Sequence, residues 1–205
     1  ARQGYARLLR TYDARGAMIE ARCLGPDGAP CLHRDGWAVM RMTYDARGNP
    51  RSGAYFGIDG RPAANAEGYA RVETVHDERD NQIEAACFGP DGQPCLNRDG
   101  YARERVDYDP GGGVRRAAYF GVDDAPVLRE RRSADEDDHL RGLFGAWRPG
   151  LLAALGVDPE APGGAFAVLE QDLDARGVVR ARRFLGLRGE PVDGPEGFCR
   201  YETQT

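Results

Sequence analysis

A period of 32 residues constrains this chain more than any local propensity does. A fixed step means that one supersecondary unit is built repeatedly and must bury its surface against its own neighbours. The tripeptide Gly-aromatic-Ala stands at Gly4-Tyr5-Ala6, Gly36-Trp37-Ala38, Gly68-Tyr69-Ala70 and Gly100-Tyr101-Ala102. Asp13, Asp45, Asp77 and Asp109 keep the same step, as do Gly25, Gly57, Gly89 and Gly121. A fifth copy, marked by Ala165-Phe166-Ala167 and Asp174, follows the fourth after two periods and one further residue, which reads as a full unit replaced by something else. A sixth begins at Gly197-Phe198, and the first copy lacks its upstream half, so the chain is expected to be an excerpt of a longer array with any targeting signal outside it.

Each unit carries two turns. Asp13-Ala14-Arg15-Gly16 places Asp at the opening of a type I turn and Gly where a left-handed residue must follow, the pattern of a three-residue hairpin loop closed by a bulge. It recurs as DARG at 45–48 and 174–177, as DERD at 77–80, where Asp80 must accept the left-handed position, and as DPGG at 109–112. The second turn reads GPDG at 25–28 and 89–92, with GIDG, GVDD and GLRG in the other copies. Two tight turns per unit predict three strands joined as a meander. The expected fold is all-β: tandem antiparallel three-stranded repeats stacked into an extended or curved sheet array.

Counting outward from the first turn pairs Tyr12 with Met18, Leu8 with Arg22 and Ala6 with Leu24 on one face, with Tyr5, Arg7, Leu9, Ile19, Ala21 and Cys23 on the other. By that count neither face is wholly polar, so units are expected to bury surface against their neighbours. The predicted organisation is four repeats over 1–128 with starts near 4, 36, 68 and 100, a helical insertion over 129–164, and over 165–205 a fifth repeat and the start of a truncated sixth. In the insertion, Ser133 can cap a helix whose first turn holds Asp135, Glu136, Asp137 and Asp138. Leu140, Leu143, Phe144, Trp147 and Leu151 follow as one apolar stripe, with a break at Pro149 and a stop at Gly156. Such a stripe reads first as cover for a sheet edge and second as a partner-binding helix.

Four of the five cysteines form two copies of one pattern, Cys23 to Cys31 and Cys87 to Cys95. If the intervening turn is a hairpin, each pair lies directly opposite on adjacent strands. In the other units these positions hold Tyr55 with Ala63, Tyr119 with Val127 and Phe184 with Val192, so both are Cys or neither is. That points to disulfides and to an oxidising compartment, periplasmic or surface-exposed. Buried thiols come second. A zinc site from Cys23, Cys31 and His33 comes last, because the cysteine spacing lacks a zinc knuckle and Asn97 stands where His33 would recur.

Composition removes much chemistry. All 28 basic residues are Arg, and Ser occurs only at Ser52 and Ser133, which leaves no lysine Schiff base and few serine nucleophiles. A net charge of -5 argues against nucleic acid as the main partner, and no apolar run approaches a membrane span. His33 falls in a loop, His76 in a position held by Tyr in other copies, and His139 in the insertion. The recurring Asp27, Asp59, Asp91 and Asp123 sit where turns prefer Asp, without the ligand alternation of a calcium loop. No cofactor, metal site or catalytic residue is expected.

The Tyr-Asp-turn-Gly pattern (Tyr12-Asp13 to Gly16, Tyr44-Asp45 to Gly48, Tyr108-Asp109), followed by an aromatic-Gly-x-Asp-Gly hairpin, resembles bacterial YD or RHS-type repeats, and more loosely MORN-like and WG-type β-repeats. The resemblance covers nearly all of the chain outside 129–164. It implies β-hairpin sheets, shells or spacers whose attached domains supply any activity. The expectation is therefore a non-catalytic repeat module of a larger bacterial protein, a protein-interaction platform or spacer. One alternative is a glycan- or peptide-binding module using Trp37, Tyr55, Tyr69, Tyr101, Tyr119 and, in the insertion, Trp147. Another is a regulatory or catalytic site on the insertion, with His139 beside Asp135 or Asp138.

Overall fold

The computed structural model describes residues 4–128, 166–193 and 200–202. The predicted helical insertion, with Ser133, His139 and Trp147, lies outside the described residues, as does Gly197-Phe198 of the sixth copy. The described elements are all strands: β1 (Arg7–Tyr12), β2 (Met18–Leu24), β3 (Val39–Tyr44), β4 (Pro50–Phe56), β5 (Arg71–His76), β6 (Gln82–Phe88), β7 (Arg103–Tyr108), β8 (Val114–Phe120), β9 (Val168–Leu173), β10 (Val179–Leu185) and β11 (Arg200–Glu202). They fall into two compact bodies, one of Ala1–Arg98 with Ala102–Glu104, the other of Asp99–Tyr101 with Arg105–Thr205. Within each body the strands pair antiparallel in chain order, a meander of hairpins. No described helix is long and apolar enough to cross a membrane.

The first turn forms for a stated reason. Asp13 Oδ1 accepts from the backbone N–H of Arg15 at 2.9 Å and of Ala17 at 2.8 Å. Asp45, Asp77 and Asp174 do the same one, two and several repeats on. The residue closing the turn is left-handed throughout, including Asp80 at φ 65, the substitution that Asp tolerates better than most.

These bonds hold the turn carboxylates below the usual range. The backbone bond from Ala17 dominates at Asp13, the Asn49 bonds outweigh burial at Asp45, the Asn81 side chain leads at Asp77, and the backbone of Val178 leads at Asp174. A carboxylate depressed in the folded state stabilises the fold above its unfolded pKa, and that stability is lost as pH falls through the folded value. Melting temperature should therefore fall as pH drops below the ordinary aspartate value of 3.8. Asn keeps the acceptor oxygen without the charge, so the combined Asp13→Asn, Asp45→Asn, Asp77→Asn and Asp174→Asn variant should fold and show a flatter acid limb in thermal melts.

The register differs from the one counted from sequence. Tyr12 pairs with Met18 as expected, but Thr11 then pairs with Glu20, leaving Ile19 as an extra residue, and from there Leu8 faces Cys23 and Arg7 faces Leu24. The same bulge sits at Thr43/Tyr44 and Val75/His76. One extra residue moves every later side chain to the opposite face. The two apolar sets of the sequence count therefore share one face: Ala21 pairs with Met40, Met40 with Tyr55 and Met42 with Gly53. That face is buried, with Ala21, Met40, Val72, Ala117 and Leu169 nearly inaccessible. The other carries ions and cation–π contacts, with Glu20 between Arg22 (2.5 Å) and Arg41 (2.9 Å) and Arg71 over the Phe88 ring at 4.1 Å.

The meander of 32-residue units is as expected, but the third segment of each unit makes no ladder. It contributes one bridging pair, Leu24 with Pro30, Phe56 with Pro62, Phe88 with Pro94, Phe120 with Pro126 and Leu185 with Pro191. Proline there removes a donor, and the chain then turns back toward the sheet. This returning segment brings Trp37 and its equivalents onto the inner face. Repeats are tied further by Tyr44 Oη donating to the Met18 carbonyl at 2.8 Å and Thr74 Oγ1 to the Pro50 carbonyl at 2.6 Å.

Among the described residues the ladder of the second body skips no unit. β9 pairs directly with β8, Arg116 with Glu170 and Ala117 with Leu169, in the register that β3 keeps with β2. The inserted chain takes the place of the short turn that joins Leu32 to Trp37, Ala64 to Tyr69 and Leu96 to Tyr101. It lengthens a connection and leaves the ladder unbroken.

Candidate functional site

The aromatic row faces inward. In the first body Tyr5 stacks on His33 (5.5 Å), His33 on Trp37 (4.6 Å), and Trp37 and Tyr69 flank Tyr55 at 6.4 and 6.0 Å. In the second, Tyr101, Tyr119, Phe166 and Phe184 continue the pattern at 4.9, 6.0 and 5.0 Å. Trp37, Tyr55 and Tyr119 are each 1% exposed, Tyr69 is buried and Tyr101 half-buried. Burial drives the Tyr55 and Tyr69 hydroxyls well above their usual range. Rings packed in this way offer no open face to a sugar or peptide; they are the contacts between repeats.

A third turn escaped the sequence reading. Asn65 Oδ1 accepts from the backbone N–H of Glu67 at 3.0 Å and of Tyr69 at 3.3 Å. His33 takes the same place one repeat earlier, its Nδ1 accepting from the Asp35 N–H at 3.1 Å. His33 is thus a turn cap and a stacking partner. The signal was present as His/Asn-x-acid-Gly-aromatic at 33–37, 65–69 and 97–101. The corresponding residue before the insertion is Arg129, which cannot cap such a turn.

The cysteines are opposite one another as expected, but they are not cross-linked; all four are thiols. The Cys31 N–H donates to the Cys23 carbonyl at 3.1 Å and the Cys95 N–H to the Cys87 carbonyl at 3.1 Å, while the N–H groups of Cys23 and Cys87 turn to the Ala38 and Ala102 carbonyls at 2.9 and 2.8 Å. The expected disulfides are corrected to thiols, and the argument for an oxidising compartment goes with them. Burial, then the neighbouring Cys31 and Asp35, pushes the Cys23 thiol up to about 12. Alkylation of the native chain with iodoacetamide should leave Cys23 and Cys87 slow, and denaturation without reductant should expose all five cysteines; a mass lower by two hydrogens per pair would contradict this. Among the described residues no three His, Cys, Asp or Glu side chains converge as metal ligands.

An open concavity of the second body lies between the turns at 109–112 and 174–177. It measures about 570 Å³ and is lined by Tyr108, Asp109, Arg115, Asp172, Leu173 and Asp174, among others. Its carboxylates are engaged. Asp109 Oδ1 accepts from the Gly113 N–H at 2.7 Å, Asp174 Oδ2 from Arg180 at 2.8 Å, and Asp172 lies 3.4 Å from Arg183. Gln171 also lines it and is buried; with its amide oriented to satisfy both neighbours, its nitrogen donates to the Val114 carbonyl and its oxygen accepts from Arg182 Nε, at 2.9 Å each. The sequence hint was DPGG in place of DARG.

No family model matches the chain, and no curated protein does. Solved structures do match. A chain of the "Crystal Structure of TcdB2-TccC3-TEV" is 14% identical with a TM-score of 0.38, over 86% of this chain and 9% of that one. A chain of the "Structure of Photorhabdus luminescens Tc holotoxin pore, Mutation TccC3-D651A" is 14% identical with a TM-score of 0.41, over 96% of this chain and 9% of that one. This chain therefore spans under a tenth of the proteins it is similar to, and a likeness of that degree decides nothing about what it does.

Proposed function

We propose that the chain is a non-catalytic β-repeat module of a larger bacterial protein, of the YD or RHS type, serving as a protein-interaction scaffold or spacer. One observation carries this reading: the polar side chains that recur with the period hold backbone. Asp13, Asp45, Asp77, Asp109 and Asp174 close the first turn, Asp27, Asp59, Asp91 and Asp123 the second, and His33 and Asn65 the third. A general acid or base needs its proton-bearing atom aimed at a substrate.

Two measurements test it. Excising residues 36–67, one period, should leave a chain that folds and melts cooperatively, because each repeat contacts only its neighbours. The whole chain should turn over no ester, phosphate, glycoside or peptide substrate. Turnover abolished by a single His76→Gln or Asp109→Asn change would overturn the reading.

A further inference from the structure

We infer that a water molecule is resident in the first body between the third turns at 33–36 and 65–68, held by Asp35 Oδ2, Asn65 Nδ2 and Tyr55 Oη. The inference is independent of the scaffold reading and concerns what joins one repeat to the next. Its basis is a set of polar atoms that the fold buries without supplying them with partners. Each of the three is sealed from solvent, and none makes a hydrogen bond to any described group. All three side chains belong to residues more than nine-tenths buried. A donor or acceptor left in that state is costly, and protein interiors complete such groups with ordered water.

Backbone contacts bring the three residues together. The Ala66 N–H donates to the Asp35 carbonyl at 2.8 Å, which fastens the earlier turn onto the later one. Gly36 permits that approach, since a Cβ there would stand 3.4 Å from the Ala64 carbonyl oxygen. Tyr55 packs against both turns: its ring meets Trp37 at 6.4 Å and Tyr69 at 6.0 Å, the residues that close them. Burial pushes the Tyr55 hydroxyl up, the Asn65 side chain draws it partly back, and the Asp35 charge adds to the rise. Asn65 thus stands near the hydroxyl, yet no direct bond closes between the hydroxyl and Nδ2.

The chemistry of the three atoms selects the occupant. Asn65 Oδ1 accepts from the N–H groups of Glu67 and Tyr69 at 3.0 and 3.3 Å, so the orientation of the amide is set and Nδ2 is left as a donor. Asp35 Oδ1 faces Arg34 Nε at 3.6 Å. His33 Nδ1 lies 3.1 Å from Asp35 Oδ2, but it already accepts the Asp35 N–H at 3.1 Å and so has no proton to give. What remains is a carboxylate acceptor, an amide donor and a hydroxyl that serves as either. A cation is repelled by the amide N–H groups and an anion by the carboxylate. Water accepts from the one, donates to the other, and finds the three partners that buried waters ordinarily have. Neither neighbouring set repeats the trio: positions 67, 87 and 97 hold Glu, Cys and Asn, and positions 99, 119 and 129 hold Asp, Tyr and Arg.

The test is water-selective nuclear Overhauser spectroscopy on the isotope-labelled whole chain. Cross-peaks from water to the Asn65 side-chain amide protons and to the Tyr55 ring protons beside the hydroxyl are expected, with the sign of a water that tumbles with the protein. Tyr55→Phe removes the exchanging hydroxyl, which could relay such a signal, and keeps the ring. The Asn65 cross-peaks should persist in that variant, because Asp35 and Asn65 still hold the water. Should the variant not fold, a high-resolution crystal structure of the parent chain decides: a water within roughly 2.7–3.2 Å of all three atoms is expected. Absence of the cross-peaks in the parent, their loss in Tyr55→Phe, or a crystal structure in which Asn65 Nδ2 bonds Tyr55 Oη or Asp35 Oδ2 directly would overturn the site. Each of those results leaves the scaffold reading intact, since that reading falls to turnover and not to loss of this water.

Discussion

Trp37→Ala is expected to cost the first body about 3–5 kcal/mol, the range for emptying a large aromatic site in a packed interior. Trp37 is 1% exposed, stacks on His33 at 4.6 Å and meets Tyr55 at 6.4 Å, so its removal opens the contact between three successive segments. Its neighbours are parts of turns and paired strands, which cannot collapse into the void without breaking backbone bonds such as His33 N–H to Trp37 O at 2.6 Å. For a body of this size each kcal/mol moves the melting point by roughly 4–8 °C, so a fall of well over 10 °C is expected. Trp37→Tyr, the residue at positions 5, 69 and 101, should recover most of it. Hydrogen exchange should localise the loss to β1–β4; an unchanged melt would mean that the ring packs against nothing that matters.

Phe166→Ala is expected to be as severe in the second body, again about 3–5 kcal/mol. Phe166 is the first described residue after the inserted chain and is 1% exposed, between Tyr119 at 6.0 Å and Phe184 at 5.0 Å. It belongs to the core of Val106, Val114, Ala117, Tyr119, Leu169 and Phe184. A long connection makes the return of the chain entropically expensive, and a buried anchor at its end offsets that cost. Without the ring, β9 and β10 should exchange their amides at rates close to those of exposed chain while β3 and β4 stay protected. Protection of β9 equal to that of the parent would show that the three β8–β9 pairs suffice without it.

How much of this was legible beforehand depends on the kind of information each feature needs. The period, the antiparallel hairpins, the Asp and Gly roles in the turns and even the left-handed Asp80 follow from residue chemistry local to four or five positions, and the structure keeps them. The opposition of Cys23 with Cys31 was also legible, because a tight turn dictates which residues face each other. Whether that pair could bond was not, since it depends on which of two alternating pair types the register selects. The Asn65 and His33 caps are visible in spacing, but residue type alone does not separate a capping acceptor from any other role of a loop His or Asn.

What only the tertiary structure decided turns largely on one residue per hairpin. The bulge at Ile19 and its equivalents adds a single unpaired position, and because side chains alternate with a period of two, it reverses the face of everything beyond it. Composition and spacing established that each hairpin carries two apolar sets. The pairing of Leu8 with Cys23, and not with Arg22, put those sets on the same side, beneath the returning aromatic segments, and left the ion pairs and the arginine–phenylalanine contacts on the other. The in-register docking of β9 on β8 past the inserted chain belongs to the same class: it depends on which distant strands meet, and no local propensity encodes that meeting.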